Sequence, residues 1–253
     1  KILSIKNALN LCFSNNQKNN KQHSIAITVD DADYNFLKII PCLEKYKIPV
    51  VLFAPIGFCL NEKNITGLRS RCLHFAFFKY QKENINDLNI KIRMLFEKVM
   101  NADYSYLDSY YKELINHNDS FFVKKKFLSL ENLKSLADHP LITVVSHSMS
   151  HVPLSFIPSK WLEWEIKESS KYIKECKGDK SFFAYPYGYK NSFNNNIKEY
   201  LRLCGINYAF TTIARITSYN SDPLELGRIH LFNDKNKNYL MGSEVNLSKG
   251  IIN

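Results

Sequence analysis

Two pairs of residues could do chemistry together. Asp30 and Asp31 end the apolar run Ser24-Ile25-Ala26-Ile27-Thr28-Val29. His147 and His151, four apart, follow the apolar run Ile142-Thr143-Val144-Val145. One carboxylate and two imidazoles are a donor set for a divalent metal that leaves a position open for water. The other carboxylate is then free to move protons, and the combination points to metal-assisted hydrolysis. Two bland alternatives stand beside this. The histidines could be core-bonded or solvent-facing. Asp30-Asp31 could be an Asx turn or helix cap, a job that Asp33 would do equally well.

Each apolar run reads as a buried strand, so each polar pair sits where a strand stops. Strand one is expected over 24–29 and strand two over 48–54, joined by a helix over 34–46 in a β-α-β unit. Residues 61–128 hold helix-like stretches and no buried strand, and are read as a helical insertion between strands two and three. Ser129 is a candidate N-cap for a helix over 130–138. Strand three is expected over 141–145, helix four over 158–176, strand four over 181–185, a helix over 193–204, strand five over 208–211 and strand six over 226–231. This alternation favours a (β/α) barrel, incomplete or distorted, over an open doubly wound sheet. Residues 1–22 are read as an N-terminal helix and a polar linker, and 23–253 as a single domain. No G-x-G-x-x-G or Walker loop is present.

The 253 residues carry a net charge of +10, with Lys124-Lys125-Lys126 the longest basic run. The charge is spread rather than interleaved with aromatics, so nucleic acid is not an expected partner. A generally basic soluble protein is the simplest reading of the charge, with phosphate-bearing or membrane-surface substrates as the alternative. The six cysteines show no C-x-x-C spacing and read as core residues of a reducing compartment. No run approaches the roughly 18 apolar residues of a membrane span. The expected location is cytoplasmic, at or near the inner membrane surface. No signal-peptide pattern is seen, but the sequence starts at Lys1 and an upstream piece is left open.

Thr28-Val29-Asp30-Asp31, then His147-Ser148-Met149-Ser150-His151, then Phe183-Ala184-Tyr185-Pro186-Tyr187-Gly188 resemble, in order, three motifs of one family. These are T-F-D-D-G, H-[ST]-x-x-H and R-x-P-Y/F-G of the polysaccharide deacetylases with NodB homology, carbohydrate esterase family four. The resemblance spans about residues 24–231, apart from 61–128. It implies that Asp31, His147 and His151 hold the metal, zinc first, with cobalt or nickel as alternatives. It implies that Asp30 is the general base and that the Tyr187 backbone N–H helps to hold the oxyanion. Tyr185, Pro186 and Tyr187 would face substrate. The implied substrate is an N-acetylated amino sugar of a bacterial surface polysaccharide or lipopolysaccharide.

Three departures mark a divergent member. Ala32 stands at the motif-one glycine. Ala184 stands where an arginine usually orients the base, and Arg228 is a candidate to supply that cation from strand six. His230, in Arg-Ile-His, is the one histidine late enough to fill the Leu-x-His general-acid position. These departures favour a nucleotide- or lipid-linked sugar over a polymer. Trp161 and Trp164, three apart on helix four, are read as core. The competing readings are a glycan-binding protein that has lost turnover, and a hydrolase of a formamide or other non-peptide amide.

Overall fold

The computed structural model describes residues 1–14, 24–82, 84–116, 125–232, 240–241, 245–246 and 251–252. The polar linker expected after the first helix falls largely outside them. Five parallel strands, β1 (Ile27–Val29), β2 (Val50–Ala54), β3 (Ile142–Ser146), β4 (Phe182–Ala184) and β5 (Tyr208–Phe210), lie side by side in chain order. They form a curled half-barrel with helices around it, the incomplete (β/α) barrel expected from the sequence.

Period-two alternation assigns the two faces of this sheet. Val50, Leu52, Ala54, Ile142 and Val144 point to an outer core that also holds Ile173. That core includes Leu43 of α2 (Ile40–Tyr46) and Leu133 and Leu136 of α7 (Leu130–Ala137). Val51, Phe53, Val145, Phe182, Ala184 and Phe210 point inward, where Ile5 and Leu9 of α1 (Ile5–Phe13) meet them. Continuing the inward parity past the strand ends puts Asp30 and His147 on the inside, at the mouth.

The 61–128 segment is helical, as expected: α4 (Ile65–Tyr80), α5 (Ile85–Asn101) and α6 (Tyr104–Asn116) follow the one-turn α3 (Ile56–Cys59). Helix α4 is buried along most of its length, including Leu68, Cys72, His74, Phe75 and Ala76. Its Arg71 donates to the Gly57, Phe58 and Leu60 carbonyls, covering acceptors that the end of α3 leaves open. Helix α5 turns Leu88, Ile92, Phe96 and Val99 inward at helical spacing. Among the described residues no helix is long and apolar enough to cross a membrane.

Three local expectations need correction. The helix over 34–46 begins as a 3-10 segment, Tyr34–Ile39, capped by the Asp33 carboxylate accepting from Asn35 N–H at 2.7 Å. Asp33 thus takes the capping job that was an alternative for Asp30-Asp31. Helix four is irregular: 3-10 at Ser159–Trp161, π at Trp164–Glu168, then α8 (Ser169–Glu175). The Ser169 and Ser170 hydroxyls donate to the Glu165 and Ile166 carbonyls, competing with the regular ladder. Strand six shrinks to a single bridge between Leu226 and Phe210. Beyond it, Gly227 lies against the Arg215 carbonyl and Arg228 N–H turns to the Ile213 carbonyl, so the ladder cannot continue. Leu231 and Phe232 instead pair antiparallel with Leu240 and Met241. Residues 147–153 are not helical, so the four-residue histidine spacing works by a route other than a helical turn, described next.

Candidate active site

Asp31, His147 and His151 bring one ligand atom each to within 4.8 Å of one another. Asp31 Oδ1 lies 3.2 Å from His151 Nε2 and 3.8 Å from His147 Nε2. His147 directs Nδ1 at the Ala184 carbonyl, 2.8 Å away, which leaves Nε2 as the nitrogen facing the cluster. A carbonyl partner on the far nitrogen fixes the tautomer that a metal-binding imidazole needs. A half-buried carboxylate facing the Nε2 atoms of two buried histidines fits a divalent ion in donor type and in spacing.

The backbone is bent at these residues. Asp31, Ala32, Ser148, His151 and Tyr187 all have positive φ, from 49° to 73°. L-residues rarely adopt this conformation, and such strain collects at functional sites. Two left-handed residues, rather than a helical turn, bring the two imidazoles to 4.7 Å between ring centroids.

The surroundings hold that bend. Ile56 and Gly57 N–H donate to the Ser148 and Met149 carbonyls, each at 3.0 Å. A Cβ on Gly57 would stand 2.6 Å from the Met149 carbonyl and 1.9 Å from Ser70 Oγ of α4, so only glycine lets α3 fit between that helix and the loop. From the other side, buried Glu165 accepts Met149 and Ser150 N–H on one oxygen, both at 3.0 Å, and the Ser150 hydroxyl on the other. Burial pushes the Glu165 carboxyl up to about 7 against the pull of those donors. Fully buried His74 sets Nδ1 3.2 Å from the His151 carbonyl, and burial pushes it down to about 3, so it is neutral. Neither residue is marked by a motif. Glu165 leaves one trace in the sequence, an acid between Trp164 and Ile166.

Asp30 is gripped by Arg228, Nη1 to Oδ1 at 2.5 Å and Nη2 to Oδ2 at 2.7 Å. Arg228 also donates to Thr28 Oγ1 and the Thr211 carbonyl, and its guanidinium lies over the Phe53 ring. The structure therefore brings the late arginine to the carboxylate that lacks a motif-three partner. Burial raises the Asp30 carboxyl, but His147 and Arg228 outweigh it and hold it below the usual range. Burial likewise works against ionised Asp31, and His151, His147 and Lys125 overcome it. His147 is pushed down to about 4, chiefly by burial, and is neutral near pH 7.

The other expected site residues divide. Tyr187 is half-buried, its ring centroid 5.2 Å from that of His151. Its carbonyl accepts from Thr212 Oγ1, and its N–H makes no backbone hydrogen bond among the described residues. Pro186 is buried and forms the turn, accepting from Gly188 N–H at 2.7 Å. Tyr185, expected to face substrate, does not: it is fully buried, donates its hydroxyl to the Leu224 carbonyl and stacks on Phe193 at 4.2 Å. The reason is parity, since Ala184 points inward and Tyr185 outward into the helical layer. His230 lies in exposed, irregular chain two residues past Arg228 and is outside the three-ligand cluster. Trp161 and Trp164 are partly buried against the core, as read from the sequence.

The polysaccharide deacetylase family matches the chain over residues 73–209, more than half of its length. The protein is a member of that family. The match takes in both histidines and the 182–188 segment, and Asp30 and Asp31 lie ahead of it. It also takes in residues 73–128, which the sequence reading sets apart as an insertion.

Among solved structures, Streptococcus pyogenes deacetylase PplD in complex with acetate is 17% identical, with a TM-score of 0.56 over 90% of this chain and 72% of that one. IcaB from Ammonifex degensii is 16% identical, with a TM-score of 0.54 over 90% and 75%. BC0361, a polysaccharide deacetylase from Bacillus cereus, is 14% identical at 0.51, and the chain spans 51% of its length. At these identities the likeness is one of fold. No curated protein sequence matches the chain. As a polysaccharide deacetylase, the protein is a hydrolase of carbon–nitrogen amide bonds.

Proposed function

We propose that this deacetylase is metal-dependent and removes the N-acetyl group of an amino sugar in assembly of a bacterial surface glycan. A nucleotide- or lipid-linked sugar is the proposed carrier. The observation that carries the reading is the pairing of two sites. An Asp-His-His cluster of two buried histidines and a half-buried aspartate, with one tautomer fixed by the Ala184 carbonyl, lies beside a second carboxylate kept ionised by Arg228.

Asp31, His147 and His151 would hold the ion. Held by these residues, a divalent ion would supply a lowered pKa for bound water and a polarised acyl carbonyl. Asp30 takes a proton from the attacking water as its oxygen bonds to the acetamide carbon. The Tyr187 N–H receives the carbonyl oxygen as it gains negative charge, a donor already in place. Collapse breaks the C–N bond, the departing amine is protonated, and acetate and a free amino sugar leave. His230 is proposed as the acid on the strength of its late position alone. That the Streptococcus pyogenes neighbour was solved with acetate fits a site built for this acid.

Metal analysis of the purified protein tests the first requirement. About one divalent ion per chain is expected, with the His147→Ala/His151→Ala variant binding none. A wild-type chain that takes up no zinc, cobalt or nickel removes the mechanism.

A further inference from the structure

Asp31 shows different partners on its two oxygens. Oδ1 faces the histidines, whereas Oδ2 accepts from Lys125 Nζ at 3.2 Å. The Lys125 side chain is 6% exposed, and its ammonium also lies 3.7 Å from Asp33 and over the Phe127 ring. This is not a loosely swung surface lysine. The chain after it is tied to the Asp31 turn, with Tyr34 N–H donating to the Lys126 carbonyl and Leu128 N–H to the Ala32 carbonyl. Phe127 and Asp33 form an antiparallel bridge between the same segments. Lys125 also lines a cavity of about 670 Å³ with Phe58, Arg71, Tyr111 and Phe127.

Each site carboxylate therefore already has its own cation, Arg228 on Asp30 and Lys125 on Asp31. We propose that Lys125 is a positioning residue for the metal: it reserves Oδ2 so that Asp31 offers a single oxygen, and its charge makes the ion bind less tightly. A fixed positive charge beside a ligand repels a dication and withdraws charge from the donor. Groups one bond beyond the ligands commonly change metal affinity by about 10–100-fold, here in the weakening direction. An ion held less tightly by its carboxylate is left a stronger Lewis acid toward an acyl oxygen.

The inference rests on the metal-dependent reading, and its test keeps the two separable. Metal-stripped wild type, Lys125→Met, Lys125→Gln, Lys125→Arg and His147→Ala/His151→Ala are titrated with zinc against a chromophoric chelator, at one pH and one ionic strength. Circular dichroism confirms that each is folded. Lys125→Met and Lys125→Gln are expected to bind zinc about tenfold or more tightly than wild type. Lys125→Arg, which keeps the charge but differs in shape, is expected to bind zinc less tightly than either neutral variant. General damage to the site would weaken binding instead, so the sign is diagnostic. Binding in either neutral variant that equals or falls below that of wild type overturns the Lys125 inference alone. Absence of zinc binding in wild type overturns the metal-dependent reading and this inference with it.

Discussion

Replacing Arg228 by alanine is expected to lower kcat/KM on an acetylated amino sugar by about 10²–10³-fold. The variant loses both guanidinium contacts to Asp30, at 2.5 and 2.7 Å. Without that cation burial is opposed less, and the Asp30 carboxyl pKa rises from its lowered position. The base must be unprotonated to work, so the acid limb of the pH–rate profile moves to higher pH. A purely structural arginine would lower activity without moving that limb. Stability also falls, by about 2–4 kcal/mol. This is less than for a fully buried pair because the Asp30 side chain keeps 26% of its exposure. Steady-state kinetics across pH, with a thermal melt of each variant, checks all three outcomes. Unchanged turnover in Arg228→Ala would remove the assignment.

Glu165→Ala is expected to cost about 3–5 kcal/mol, the largest stability loss among the site's supports. It leaves the Met149 and Ser150 N–H groups and the Ser150 hydroxyl unpaired in the interior and opens a void beneath the histidine loop. Glu165→Gln keeps an acceptor for the two N–H groups and is expected to retain most of the stability. The pH dependence has a definite sign. The folded Glu165 carboxyl lies at about 7, above the ordinary glutamate range. Its contribution is therefore full at pH below that ordinary range and is lost as pH rises through about 7. Glutamine does not titrate, so denaturant melts from pH 4.5 to 8 should show this component of the slope in wild type and not in Glu165→Gln. Equal slopes would mean that the loop donors compensate for burial.

The chemistry of the cluster was legible because acids and imidazoles are rare at the ends of buried apolar runs. The same runs gave the sheet, since β2 is apolar at every position and β3 nearly so. The mouth of the barrel was harder. Tyr185 sits in a motif, and only the parity set by Ala184 reveals that it faces away. Strand six has the composition of a strand, but whether it pairs is decided by Gly227 packing on the Arg215 carbonyl, a contact distant from any local pattern. Lys125 belongs to a basic run that reads as solvated surface, yet the 126–128 backbone draws it beneath Asp31. Glu165 is hidden because the π segment alters the helical phase around it. What sequence missed is what tertiary contacts decide: which charges are drawn in to partner the ligands.

The central claim is that this site hydrolyses an acetamide with Asp30 as base. Its most direct test is acetate release from N-acetylated amino sugars, free, nucleotide-linked and lipid-linked, by zinc- or cobalt-loaded wild type and Asp30→Asn. Acetate is expected with wild type, and a loss of about 10²–10⁴-fold in Asp30→Asn, whose metal content stays at that of wild type. Acetate release by Asp30→Asn at the wild-type rate, or a fully metal-loaded wild type that frees none from any of these sugars, would contradict that claim.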